Sequence, residues 1–156
     1  MNNTEKIYHI TWTTYNSRIS ERMKLYNVKA WKDGIFLDNK QEFEISEILW
    51  KIIREIDLKV YAYNICNDHI HLLLQCEEKD LNLIIRRLKW KSTKMYKDLH
   101  EIEDSIKLWG QKFNRTIIKN KIQFLNTIDY IKNNRKKHNL EENKLLKIDF
   151  CRKIIP

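Results

Sequence analysis

The side chains best suited to chemistry are two histidines that stand two residues apart. His69 and His71 open the run His69-Ile70-His71-Leu72-Leu73-Leu74, which is typical of a strand. Because side chains alternate between the two faces of a strand, both imidazoles project from one face. Two such nitrogens can hold one divalent cation, although a bare His-x-His is more often an ordinary surface pair.

A tyrosine and an asparagine one helical turn apart form the second candidate pair. Both residues lie in a predicted helix that begins at residue 122. The residues of its apolar stripe are Phe124, Leu125, Ile128 and Ile131. At the angular step of a helix, Tyr130 falls roughly 150° from the centre of that stripe. It shares its side with Gln123, Thr127 and Asn134, so phenol and amide project together. Taken alone, this tyrosine would be a solvated residue on a polar face.

The four residues together predict a phosphoryl-transfer site. His69, His71 and the side-chain oxygen of Asn134 would bind Mg²⁺ or Mn²⁺ and leave positions open for a phosphate oxygen and water. The cation would stabilise the negative charge that develops, and Tyr130 would attack in line to form a covalent phosphotyrosine. A free phenol has a pKa of about 10, so it needs a metal, a cation or a base to become nucleophilic at neutral pH.

The elements that must position these residues follow from the hydrophobic pattern. The expected order is strand, helix, strand, strand, helix, strand, helix, which is the ferredoxin-like split βαβ arrangement of the α+β class. A sheet of this kind is covered by helices on one face, and the other face is left for a ligand. The expected strands are 8–15, 58–66, 69–76 and 112–118, with a short further strand at 34–37. The expected helices run from 43 to 56, from a cap at Asp80, and from 122 to 137.

Length and composition bound the class of protein. The chain has 156 residues, which suits a single domain over 1–156, with a basic tail from about residue 139. Only 2 Gly and 1 Pro occur, which excludes a Gly-rich phosphate loop. No run approaches the roughly 18 apolar residues of a membrane span. Cys66, Cys76 and Cys151 fit neither a disulfide framework nor a zinc motif, so we expect reduced thiols in a cytoplasm.

The charge predicts a polyanionic partner, above all nucleic acid. The 30 basic and 21 acidic residues give a formal net charge of +9, although a lysine-rich surface also serves solubility. Candidates for DNA phosphate contacts are Arg18, Arg22, Arg86, Arg87, Lys89 and Lys91. Candidates for stacking on unpaired bases are Trp12, Trp31 and Trp90, of which Trp12 better fits the core.

These motifs, in this order, resemble the single-tyrosine HUH transposases of the IS200/IS605 group, including the REP-associated tyrosine transposases. The resemblance covers roughly residues 8–138. It rests on Asn67-Asp68-His69-Ile70-His71, on Tyr130-Ile131-Lys132-Asn133-Asn134, and on Leu108-Trp109-Gly110-Gln111 ahead of the fourth strand. It implies metal-dependent cleavage and rejoining of single-stranded DNA guided by hairpins. His69 and His71 would be metal ligands and Tyr130 the nucleophile.

Two departures separate the chain from that pattern. Many relatives carry Gln where Asn134 stands, and many carry Pro at the position of Arg135. The shorter Asn134 would require the metal to sit nearer the helix. The resemblance leaves open a monomer or a homodimer. Two other functions also stay open: a catalytically silent module that binds single-stranded nucleic acid or hairpins, and an HUH nuclease of the replication-initiator type.

Overall fold

A computed structural model describes residues 4–18, 25–26, 34–103 and 105–146. Its strands are β1 (Glu5–Thr13), β2 (Lys59–Ile65), β3 (His69–Glu77) and β4 (Asn114–Ile117). Its helices are α1 (Asn39–Glu55), α2 (Glu78–Leu99), α3 (Lys121–Lys132) and α4 (Asn134–Lys137). The strands form one sheet in the order β2-β3-β1-β4, and every neighbouring pair is antiparallel. The predicted ferredoxin-like α+β fold is confirmed.

The main core lies between the sheet and the helices α1 and α2. Tyr8, Ile10 and Trp12 alternate along β1 and are buried on this side. The β3 residues of the same face are Ile70, Leu72, Leu74 and Cys76. The helix residues that cover them include Ile45, Leu49, Ile52, Leu81, Ile85 and Leu88. The core role predicted for Trp12 is confirmed.

The sequence suggested that the opposite face of the sheet would be free for a ligand. This face is instead covered, because α3 packs on it. Ile131 of α3 is fully buried against Ala62 of β2 and Leu73 of β3. An apolar pair on this face gains free energy when it leaves water, and α3 supplies the cover. The helix that carries Tyr130 therefore lies directly over the strand that carries the histidines.

Several element boundaries differ from the sequence prediction. Residues 34–38 form no strand, although Ile35 and Leu37 donate backbone hydrogen bonds to Tyr15 and Asn67. Helix α2 follows β3 directly, with Glu77 at its N-cap position, so Asp80 lies in its first turn and does not cap it. At the start of α1 the sequence does supply a cap, since Asp38 and Gln41 form a reciprocal capping box.

The predicted third helix is interrupted at Asn133. This residue caps α3, and the chain then starts the short α4 at Asn134. The tail predicted from about residue 139 is described as far as residue 146. There it contains a left-handed Asn139 with a φ of 54° and one helical turn at 144–146. Within the described ranges, no helix is long and apolar enough to cross a membrane.

Candidate active site

The predicted histidine pair occupies the start of β3, and both imidazoles are almost completely buried. His69 is 2 % exposed and His71 is 4 % exposed, because α3 and α4 lie over this end of the strand. The two ring centroids lie 5.0 Å apart and the ring planes are nearly perpendicular. The pair is thus enclosed inside the protein, unlike an ordinary surface pair of histidines.

Asn134 joins the histidines from the first residue of α4. Its side chain is fully buried, and its Oδ1 lies 2.7 Å from His69 Nε2. The same oxygen accepts a hydrogen bond from the Cys66 thiol at 3.3 Å. Burial raises the pKa of Cys66 to about 12, so the thiol stays protonated and remains a donor. The structure therefore brings together His69, His71 and Asn134.

An acidic residue orients His69 from the side away from Asn134. Asp68 Oδ1 lies 2.5 Å from His69 Nδ1, and Arg18 Nε donates to Asp68 Oδ2 at 3.2 Å. Burial opposes ionisation of Asp68, but the hydrogen bonds from His69 and Arg18 outweigh it and hold the pKa at about 2. An ionised Asp68 at this distance favours a proton on Nδ1. The lone pair of His69 Nε2 then faces Asn134.

His71 is oriented by two residues of β1. His9 Nε2 lies 2.9 Å from His71 Nδ1, and Thr11 Oγ1 lies 3.0 Å from the same atom. Burial, followed by the neighbouring His69 and His9, lowers the pKa of His71 to about 3. The ring is therefore neutral at pH 7 and retains a lone pair for a ligand.

These donors fit a divalent cation. His69 Nε2 and Asn134 Oδ1 are both electron-rich and lie only 2.7 Å apart. Asn134 Nδ2 is buried, and no hydrogen-bond partner for it lies among the described residues. The contacts of Oδ1 with His69 and Cys66 therefore set the orientation of the amide. Within the described part of the chain, no group of three His, Cys, Asp or Glu side chains could hold a metal ion.

Tyr130 lines the same cavity as His69 and His71. Its side chain is 39 % exposed, and its ring meets His71 edge-on at a centroid distance of 5.5 Å. Lys137 Nζ lies 3.3 Å from the phenol oxygen. The cavity has a volume of about 930 Å³, and its lining includes Gln123 and Thr127, as the helical positions predicted. The phenol is thus accessible to a substrate.

Eight residues that line the Tyr130 cavity were not predicted from the sequence. Four of them are Asn114, Asn120, Ile122 and Asn126, and the other four, which contact the histidines or Tyr130, are His9, Thr11, Lys137 and His138. Alternation along β1 places His9 and Thr11 opposite the buried Tyr8 and Ile10, and the register then sets Thr11 beside His71. The strand pattern could have found these two once the β1–β3 pairing was known. The ring centroid of His138 lies 4.8 Å from that of His69. This position results from the break between α3 and α4, which no sequence signal marks.

The predicted DNA-contact residues are scattered over the molecule. Arg18 lines the Tyr130 cavity, whereas Arg22 and the stacking candidate Trp31 lie outside the described residues. Arg86 and Arg87 line two other cavities. Lys89 Nζ donates to the carbonyl oxygens of Gly110 and Lys112, and Lys91 pairs with Glu55. Because Lys89 and Lys91 have partners inside the chain, we do not carry them into the proposed DNA contacts.

A buried ion pair fixes the start of α4, and with it Asn134. Arg135 Nη1 donates to Glu42 Oε2 at 2.7 Å and to the Ile65 carbonyl at 3.0 Å. Two further Arg135 nitrogens donate to the Glu141 carbonyl. Asn143 also donates to Glu42 Oε2. Arg135 thereby connects α4 and the tail to α1.

Replacing Arg135 with methionine is expected to destabilise the protein by about 3–5 kcal/mol. The change removes the cation and leaves the Glu42 carboxylate buried, where burial already raises its pKa despite Asn143 and Arg135. Urea denaturation followed by circular dichroism measures the loss. The double variant Arg135→Met/Glu42→Gln removes both charges and is expected to recover most of it. Equal losses in the single and double variants would contradict an ion-pair role.

The fold and the site define a class of protein: an α+β domain that sets a solvent-accessible tyrosine beside an enclosed cluster of two histidines and an asparagine. Residues 4–134 match the family model of the IS200-like transposases. The chain belongs to this family, and the resemblance inferred from its motifs is confirmed. No curated protein matches the sequence of the chain.

Two solved structures share the fold. One is a REP-associated tyrosine transposase bound to a REP hairpin, with a TM-score of 0.58 and 16 % identity over 97 % of this chain and 82 % of that one. The other is a protein of Deinococcus radiodurans R1 assigned as a transposase. It gives a TM-score of 0.51 and 19 % identity over 83 % of this chain and 90 % of that one.

Proposed function

We propose that this transposase-family chain cleaves and rejoins single-stranded DNA at hairpins, with a divalent cation and a covalent 5′-phosphotyrosine intermediate. The observation that carries the proposal is the placement of the Tyr130 phenol against His71, beside the enclosed His69–Asn134 pair. Tyr130 and both imidazoles, His69 and His71, line one cavity, and Asn134 lies buried directly behind His69. Membership of the transposase family supports the reaction class.

His69, His71 and Asn134 would hold Mg²⁺ or Mn²⁺. The cation, when bound, withdraws electron density from the phosphodiester and offsets the charge that develops on its oxygens. Asp68 and His9 keep the two imidazoles in the tautomers that present lone pairs. Neither histidine needs to move a proton in this scheme.

Tyr130 performs the covalent step. Its Oη attacks the phosphorus in line, a new O–P bond forms, and the bond from phosphorus to the ribose 3′-oxygen breaks. The phenol proton leaves to solvent, and the departing 3′-oxygen takes a proton from water. The Lys137 ammonium, 3.3 Å away, places positive charge beside the attacking oxygen. Because the phosphotyrosine keeps the phosphodiester energy, a 3′-hydroxyl can reverse the step and join strands.

The DNA partner is proposed from charge and from the structural neighbour that is bound to a REP hairpin. Arg18, Lys137 and His138 line the cavity around Tyr130. Side chains of this kind position the DNA by its phosphates. The formal net charge of +9 adds a general attraction to the same polyanion.

Binding of a labelled hairpin is expected to weaken steeply as salt is added. Each phosphate contact on a single strand contributes a slope of about −0.7 in a plot of log K against log salt concentration. Fluorescence anisotropy between roughly 50 and 200 mM salt measures this slope. A flat dependence would contradict binding through phosphates.

One contact favours a second candidate, a silent hairpin-binding module. With the proton of His69 on Nε2, the 2.7 Å contact is a hydrogen bond donated to Asn134 Oδ1, and these two atoms then satisfy each other without a cation. Incubation of the protein with single-stranded hairpins and Mg²⁺ or Mn²⁺, followed by a denaturing gel, decides between the two functions. A covalent adduct supports the enzyme, whereas binding without an adduct in either metal supports the silent module.

A further inference from the structure

A second cavity of about 840 Å³ lies on the other side of the sheet, between α2 and residues 105–113. We refer to it as the α2 groove. Its charged lining residues are Arg86, Lys94, Lys97, Lys107, Lys89 and a single carboxylate, Asp98. Among the residues that the structure describes, Arg86 and Lys94 form no ion pair. The groove therefore offers unneutralised positive charge to a ligand.

Trp90 stands in the middle of the basic stripe of this groove. It lies one helical turn from Arg86 on one side and one turn from Lys94 on the other. Its side chain is 65 % exposed. The exposed indole can stack on a planar base, and the two cations beside it can contact the phosphates on either side of that base. Unpaired nucleotides combine these two kinds of group.

The floor of the groove is held in place by contacts within the chain. Lys89 Nζ donates to the Gly110 and Lys112 carbonyls at 2.9 and 2.8 Å, and it lies 5.9 Å from the centroid of the Phe113 ring. Trp109 Nε1 donates to Ser92 Oγ at 2.9 Å. The segment that faces α2 is thus fixed to it, and the groove exists before any ligand binds.

The α2 groove and the Tyr130 cavity are lined by successive residues of the chain at the edge of the sheet. Phe113 lines the groove, and the next residue, Asn114, lines the Tyr130 cavity. Asn114 begins the edge strand β4, whose four residues are all exposed. A nucleic-acid strand can therefore pass from one cavity to the other along this edge.

A third cavity, of about 560 Å³, shows that positive charge is not general on α2. Its acidic lining residues are Glu5, Asp57, Glu77 and Asp80, and Arg87 is among its basic ones. Arg86 and Arg87 are neighbours in sequence, but they line cavities of opposite character. Phosphates are favoured in the α2 groove and disfavoured in the acidic cavity.

We infer that the α2 groove binds unpaired nucleotides of the DNA strand that continues from the Tyr130 cavity. One base stacks on Trp90, and the adjoining phosphates contact Arg86 and Lys94. The inference rests on the proposed function, because it extends the path of the same DNA strand.

Binding of a fluorescein-labelled oligothymidylate of about 15 nucleotides tests the groove without any need for cleavage. Trp90→Ala is expected to weaken binding roughly tenfold, because a base loses its stacking partner. Arg86→Gln is expected to weaken it and to reduce the salt slope by about 0.7. The matched control Arg87→Gln lies on the acidic side and is expected to bind as the wild type does. Photocrosslinking with iododeoxyuridine is expected to label the Trp90 peptide.

Equal affinities for wild type and Trp90→Ala, with unchanged thermal unfolding, would overturn the inference. Equal losses for Arg86→Gln and Arg87→Gln would also overturn it, because charge alone would explain them. Binding of polyglutamate in place of the oligonucleotide would identify an acidic protein partner and overturn it too. Trp90-dependent binding without any covalent adduct would sustain the groove and remove only the proposed strand transfer.

Discussion

Replacing Tyr130 with phenylalanine is expected to abolish the covalent protein–DNA adduct and to leave hairpin binding nearly intact. The substitution removes the hydroxyl that attacks phosphorus in the proposed reaction, so adduct formation is expected to fall roughly a thousandfold or more. The phenylalanine ring retains the edge contacts with His71 and His9, so the site keeps its packing. Labelled single-stranded hairpins with Mg²⁺ or Mn²⁺, a denaturing gel and mass spectrometry measure the adduct.

Tyr61→Phe is the matched control for that experiment. Tyr61 lies on β2, and its ring meets Phe124 of α3 edge-on at 5.1 Å. Its hydroxyl donates to Gln75, away from the Tyr130 cavity. This variant is expected to form the adduct at the wild-type rate. An adduct that persists in Tyr130→Phe would assign the nucleophile elsewhere, and loss of both adduct and binding would indicate a structural role for Tyr130.

Replacing His71 with alanine is expected to remove cleavage in both Mg²⁺ and Mn²⁺. The variant loses one imidazole of the proposed metal site. Loss of an outer hydrogen-bond partner of a metal ligand lowers metal affinity or activity by up to roughly 100-fold, and loss of a ligand itself is expected to lower them at least as much. Chelation with EDTA is expected to give the same loss in the wild type, and added Mn²⁺ restores the activity. Calorimetric titration of Mn²⁺ into the DNA-free protein measures the site independently of activity.

His100→Ala controls for removal of a histidine in general. His100 follows α2 and contacts Glu44, outside the Tyr130 cavity. Its cleavage and its Mn²⁺ binding are expected to match the wild type. Because His71 is buried, circular dichroism and hairpin binding must show that His71→Ala still folds. Unchanged cleavage in a folded His71→Ala would refute the metal site.

The sequence was sufficient for the fold because the hydrophobic pattern has a clear period in each element. Alternation along β1 and β3 separates the buried Ile10 and Leu72 from the site residues His9 and His71. Helical spacing likewise places Tyr130 away from Ile131, which is the fully buried contact of α3. The same spacing predicted that Asn134 would accompany Tyr130.

The surroundings of the site depended on contacts between residues distant in sequence. Arg18 contacts Asp68, and Arg135 contacts Glu42, across 50 and 93 residues respectively. No local pattern predicts such pairs. Burial of His69 and His71 also required the position of α3 on the sheet, which periodicity within one helix does not provide. For the same reason, Lys89 looked like a surface cation but binds backbone carbonyls.

The attachment of α4 to α1 through Arg135 and Glu42 bears on how activity depends on protein concentration. This bond holds Asn134 against His69 of the same chain, and α3 brings Tyr130 over the same sheet. Every group in the proposed reaction therefore belongs to one polypeptide. For this reason, we expect the specific activity to stay constant when the protein is diluted.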